Sequence, residues 1–236
     1  MVKFKKPKKI KEENILPLDN TEALSDKLNK SEEFVKKNQN LIFIISGGLV
    51  AFILIFSFFN YFKETQNVDA QKEMFQAVYY YEQDSLVKAL NGDGNNYGFL
   101  EIIDEYSLSE AANLSKFYAG SSYLKLGNYN NAINYLSDFS SSDYLLQARA
   151  FSLIGDAYVE LSDFDNAIYF FQKASDYNPN EFFTPSYLIK LALVHERVND
   201  FKSALNCYSN IIKDFKGSPE YQNAIKNKSR IEGLLL

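Results

Sequence analysis

Ala148–Glu181 reads ARAFSLIGDAYVELSDFDNAIYFFQKASDYNPNE, and its spacing decides the fold of most of the chain. Apolar and small residues recur three and four apart on both sides of a polar break at Ser162-Asp163. That is the period of two amphipathic helices joined by a tight turn. Gly155 on the first helix and Ala167 on the second are small, so the two backbones can lie close. Tyr158 fills the space beside them, and Phe164 opens the second helix and plugs the corner. Phe171 and Ala174 continue its apolar face, and Pro179 helps end the unit.

Working outward, the pattern recurs on both sides. Gly120, Tyr123, Tyr129 and Ala132 precede it, and Ala192, His195, Phe201 and Ala204 follow. The three second-helix alanines are 35 and 37 residues apart. Equal spacing at this period is the mark of a repeat array. The units cover about 113–147, 148–181 and 185–218. A fourth, degenerate unit comes first, with Ala77, Tyr80 and Ala89 at the same offsets. Asn91-Gly92-Asp93-Gly94-Asn95-Asn96 breaks its second helix, and Phe99, Ile102, Ile103 and Tyr106 resume the apolar face. Ser218 as N-cap and Pro219 at the first helical position are expected to open a last helix. Its Tyr221, Ala224, Ile225 and Ile231 would cover the end of the stack, which an array needs.

Gly155, Tyr158, Ala167, Phe171, Ala174 and Pro179 resemble the tetratricopeptide repeat, and the middle unit matches it best. The third unit departs from the pattern, with Ala192 for Gly and His195 for Tyr. The tryptophan common early in the motif is absent, since the chain has none. The resemblance implies an all-α solenoid of stacked helix pairs with a C-terminal capping helix. It also implies a concave groove, lined by the first helices, that binds protein or peptide. Carried over position by position, the groove residues are Phe117, Ser121 and Leu124, then Arg149, Ser152, Asp156 and Val159, then Ile189, Leu193, Glu196 and Arg197. The set mixes apolar groups with charges of both signs. It implies an extended or helical segment bound by apolar contacts, with Arg149 and Arg197 as charge anchors.

Upstream lies LIFIISGGLVAFILIFSFFNYF, Leu41–Phe62, with no charged residue. As a helix it would be roughly 33 Å long, which matches a hydrocarbon core of about 30 Å. A cleaved signal peptide has a shorter apolar core nearer the N-terminus and a small-residue cleavage site, and neither fits here. The stretch is expected to be a single transmembrane helix dividing a tail, residues 1–40, from an extracytoplasmic domain, residues 63–236. Lys27, Lys30, Lys36 and Lys37 lie close before it, and only Lys63 and Lys72 close after it. Cytoplasmic flanks are Lys-rich, so the N-terminus is expected in the cytoplasm and the long piece in the periplasm of a bacterium with two membranes. Residues 1–18 are basic and low in apolar content, and are expected to lack fixed structure. Residues 20–38 are expected to form a helix, capped by Asn20 or Thr21, with a thin stripe of Leu24, Leu28 and Val35. Within the span, Gly47 and Ala51 make a small face with Ser46 beside it. Such faces let membrane helices approach closely, so this one is expected to contact a partner's membrane helix.

Catalytic chemistry is hard to find in this chain. His195, the only histidine, sits in a packing slot, and Cys207, the only cysteine, is expected to be a buried small hydrophobe. No His or Cys pair has metal-ligand spacing, and no phosphate-binding glycine loop or nucleophile elbow occurs. Asn91 to Asn96 departs from a calcium loop at the sixth position, Asn96, and at the twelfth, Ile102. The expectation is no enzyme, no metal and no cofactor. Residues 63–236 carry a net charge of −8, since the chain totals −5 and the tail +3. Nucleic acid is therefore not an expected partner.

A short cytoplasmic tail, one N-terminal span and an acidic helical-repeat domain outside resemble the YfgM-like proteins, on layout and repeat pattern. That resemblance implies an ancillary subunit of the Sec translocon. The implied partners are SecYEG, a membrane-anchored periplasmic chaperone of the peptidyl-prolyl isomerase type, unfolded secretory proteins and the lipid bilayer. The alternative from the same groove is a scaffold in envelope assembly or cell division.

Overall fold

The structure, a computed structural model, describes residues 21–235. The expectations for residues 1–18 and for capping by Asn20 or the Thr21 side chain fall outside the described residues. Eleven helices and no strand occur among the described residues. The chain divides into two units, Met1–Phe59 and Asn60–Leu236.

The first unit holds α1 (Thr21–Lys37) and the beginning of α2 (Gln39–Glu82). Leu24, Leu28 and Val35 of α1 are exposed, as are the large apolar side chains of α2 up to Phe62. This part of α2 is long and apolar enough to cross a membrane. Nothing lies within 4 Å of where a Cβ on Gly47 would stand. Ser46 turns its hydroxyl back to the Phe43 carbonyl, at 3.3 Å. The helix does not stop at Phe62. Residues 63–82 contain neither Gly nor Pro, so nothing interrupts the ladder before Glu82.

In the second unit the last turns of α2 serve as the first helix of the degenerate pair, burying Asn67, Ala70, Met74 and Ala77. Its second helix is split into α3 (Leu86–Asn91) and α4 (Phe99–Glu105) on either side of the Gly-rich break. Phe99 and Ile102 are fully buried there, with Ile103 and Tyr106 packed against them. Three pairs follow: α5 (Glu110–Lys125) with α6 (Tyr129–Ser137), α7 (Tyr144–Glu160) with α8 (Phe164–Asp176), and α9 (Thr184–Arg197) with α10 (Phe201–Asp214). The last helix, α11, runs Tyr221–Leu234.

The turn inside each pair is the same four times. Asp84, Gly127, Ser162 and Asn199 take positive φ, at 56°, 76°, 60° and 61° in turn. The next residue donates its N–H to the carbonyl five back: Ser85 to Tyr80, Asn128 to Tyr123, Asp163 to Tyr158 and Asp200 to His195, at 2.8–2.9 Å. Asn128, Asp163 and Asp200 then cap the second helix, accepting from the N–H of Asn131, Asn166 and Ser203. The first pair is degenerate in sequence, yet it makes the repeat's own turn.

Packing follows the small positions. A Cβ on Gly120 would stand 2.5 Å from Leu136 Cγ, and one on Gly155 2.7 Å from the Phe171 ring. Ala132, Ala167 and Ala204 are fully buried opposite. Tyr123 stacks on Tyr135 and Tyr158 on Phe170, with ring centroids 5.5 and 5.6 Å apart. The third pair has His195 and Cys207 at those two places, and so lacks the stack. Cys207 is buried, and burial pushes its thiol up to about 11.

The capping helix needs one correction. It starts at Tyr221, not at Pro219. Ser218 lies in a turn, where its carbonyl accepts from the Tyr221 N–H at 3.2 Å, and Glu220 is the N-cap. Ala224 and Ile231 still close the stack, joining the core of Ala204, Tyr208 and Ile211.

Candidate protein-interaction surface

The first helices α5, α7 and α9 present the residues carried over from the repeat pattern, and the structure sorts them into three groups. Phe117, Ser121 and Ser152 are buried, which corrects their expected exposure. Phe117 packs on Phe139, whose ring lies 5.4 Å away, because the loop after α6 folds onto it. Ser121 Oγ is 2.8 Å from the Tyr81 hydroxyl of α2. Ser152 accepts from Lys190 Nζ at 3.1 Å. These three hold neighbouring first helices together and are not open to a partner.

A second group is half-buried and already paired. Asp156 meets Lys190 at 2.6 Å. Glu196 accepts from Arg230 of α11 and, at 2.7 Å, from the Tyr208 hydroxyl. Burial, then the bond to Glu196, pushes that hydroxyl well above the usual phenol range. Val159 and Ile189 pack against the core of the third pair, and Leu124 is half-buried. The third group is open: Leu193 is 50 % exposed, and Arg149 and Arg197 are exposed. Neither guanidinium joins an ion pair among the described residues. The Arg197 head lies 5.9 Å from the Phe164 ring centroid.

Lys190, Tyr81 and Arg230 are the residues that sequence reasoning missed. Each reaches from one first helix, or from the capping helix, to a polar residue on the next. The signal available was charge: Lys190 lies one repeat beyond Asp156, with opposite sign. Burial raises the Asp156 carboxyl pKa, and the Lys190 ammonium opposes that rise. Lys190→Met removes the opposing charge and leaves a half-buried carboxylate, at a cost of about 1–2 kcal/mol at pH 7. A carboxyl whose folded pKa is raised destabilises as pH rises through it, so the loss shrinks at acid pH, as Asp156 takes up a proton. Thermal unfolding of both chains at neutral and acid pH checks this.

The Asn91–Asn96 loop is closed by its own donors. Asp93 accepts from the Tyr80 hydroxyl at 2.6 Å and from the Asn95 and Asn96 N–H groups at 2.9 and 2.8 Å. These bonds hold its carboxyl well below the usual range. No group of three metal-ligating side chains occurs among the described residues. On the second-helix side, Ile168, Tyr169, Lys173, Tyr177 and His195 line a shallow depression of about 700 Å³.

A tetratricopeptide-repeat family profile matches residues 119–181. Among solved structures the chain is similar to the MamA RS-1 ArsTM double mutant, with a TM-score of 0.51 and 21% identity. That likeness covers 61% of this chain and 74% of the other, and at such identity it shows the fold alone. No curated protein matches the chain. The fold is that of a protein-interaction module. Residues 119–181 thus match the tetratricopeptide repeat, and they lie within an all-α solenoid of similar helix pairs.

Proposed function

We propose that the chain is a single-pass protein of the bacterial inner membrane that holds a protein partner beside the Sec translocon. Residues 1–40 lie in the cytoplasm, Leu41–Phe62 crosses the bilayer, and residues 63–236 stand in the periplasm. The observation that carries this reading is α2 itself: one helix contains both a charge-free stretch of spanning length and the first helix of the repeat array. The Lys asymmetry supports the orientation. The layout's resemblance to YfgM-like subunits supports SecYEG and a membrane-anchored chaperone of the isomerase type as partners. Leu193 with Arg149 and Arg197 favours an apolar segment bearing acidic groups. Ser46, Gly47 and Ala51 form the face that packs on a partner's membrane helix.

Protease added to spheroplasts digests residues 63–236 and spares the tail. Protection of the large domain overturns the topology. Gentle detergent extraction recovers SecYEG and the chaperone with the intact chain, and Gly47→Leu with Ala51→Leu weakens that recovery without blocking insertion. Recovery of envelope-assembly proteins in their place overturns the translocon assignment.

A further inference from the structure

One edge of the repeat domain is apolar in a way its packing does not need. Phe182 is 81 % exposed, and Phe183, Tyr144, Leu145 and Leu108 are exposed as well. Leu108 precedes α5, Tyr144 and Leu145 begin α7, and Phe182 and Phe183 precede α9. Consecutive first helices run the same way in an up-and-down array, so their starts share one edge. The side chains are held there by hydrogen-bonded loops. Asn180 Oδ1 accepts from the N–H of Phe182 and Phe183 at 3.1 and 2.9 Å, and the Asn180 N–H donates to Thr184 Oγ1 at 2.8 Å. Asp143 likewise accepts from the Leu145 and Leu146 N–H groups. Large exposed apolar side chains gathered along one edge of a domain mark a contact surface.

The chain enters this domain at the same edge. Asn67 Oδ1 accepts from the Ala111 N–H at 3.1 Å, which ties this part of α2 to the start of α5. Asn60, Lys63, Glu64 and Asn67 line one depression with Glu110. Asn67 is five residues past Phe62, roughly 8 Å along a helix. The opposite edge, where the first helices end, lies roughly 25 Å away, the length of the 17-residue α7.

We propose that this edge is a second membrane contact. Phe182 and Phe183, with Tyr144, Leu145 and Leu108, enter the headgroup–acyl boundary of the bilayer that α2 crosses. The proposal rests on the membrane-spanning reading of Leu41–Phe62. Continuity with that stretch argues for lipid as the occupant, because the end of the span brings the bilayer surface to this edge. Aromatic side chains favour that boundary. Asp143 and Glu181 flank the patch, so apolar burial and not attraction to anionic lipid drives the contact.

The chain has no tryptophan, so one introduced residue is a sole reporter. The full chain is reconstituted in vesicles of phosphatidylcholine and phosphatidylethanolamine, with and without brominated acyl chains. Three variants are compared: Phe182→Trp on the edge, Phe58→Trp in the span, and Leu161→Trp on the opposite edge. Helix content by circular dichroism establishes that each is folded. Brominated lipid is expected to quench Phe182→Trp and Phe58→Trp by about twofold or more, and to leave Leu161→Trp unchanged. Quenching of Phe58→Trp without Phe182→Trp overturns the edge contact, keeps the span, and leaves the edge to a protein. Quenching of neither overturns the span reading and the contact with it. Equal quenching of Phe182→Trp and Leu161→Trp overturns the contact as non-specific adsorption.

Discussion

Phe171→Ala lowers the stability of the repeat domain by about 3–5 kcal/mol, a large share of the roughly 5–15 kcal/mol a domain has. The ring is fully buried on the second helix of the best-matched unit. It fills the place that Gly155 leaves open, and it belongs to one core with Leu188, Leu191 and Ala192 of the next pair. Truncation therefore empties space inside one pair and between two. In a linear array each pair is stabilised by its neighbours, so the loss spreads to α9 and α10. Thermal unfolding of the full chain in detergent, followed by circular dichroism, measures it. A midpoint unchanged from the parent chain would mean that α7, α8 and α9 do not share this core.

Leu193→Asp with Arg197→Glu weakens binding of the protein partner by more than tenfold, on the order of 2 kcal/mol. Both side chains are open on the first-helix side; Leu193 is half exposed, and the Arg197 head lies over the Phe164 ring of α8 at the rim of the packing. The pair replaces an apolar contact and reverses a charge, while the core stays intact. Phe117→Ala would be a poor test, because Phe117 is buried and its loss destabilises the domain. Binding of the detergent-solubilised variant to the co-purified partner, with helix content as the control, reads the effect. Unchanged affinity sends the site elsewhere, with the depression around Tyr169 the first place to look.

The repeat core was legible because its chemistry is local. Gly155, Ala167 and Phe171 sit at spacings that only close helix packing explains, and the four turns follow from residues that tolerate or cap them. The extent of α2 was less legible. The hydropathy of Leu41–Phe62 ends sharply, but helix continuation depends on the absence of a breaker, a different property of residues 63–82. The start of α11 was misread because Ser-Pro is a cap signal in isolation, while Lys216–Glu220 folds as successive turns first. The groove was the least legible part. Its register is set by one helix, but exposure is set by neighbours. Phe139 covers Phe117, Tyr81 reaches Ser121, Lys190 reaches Asp156, and Arg230 reaches Glu196. Each partner lies at least 22 residues away in sequence, beyond what helical periodicity reports.

A photo-crosslinking side chain at Leu193, placed in the full chain in living cells, tests the central claim most directly. The account predicts adducts with a Sec channel subunit or a membrane-anchored periplasmic chaperone, and their loss when Arg197→Glu is added. Adducts from a probe at Tyr169 on the second-helix side, with none from Leu193, would contradict it.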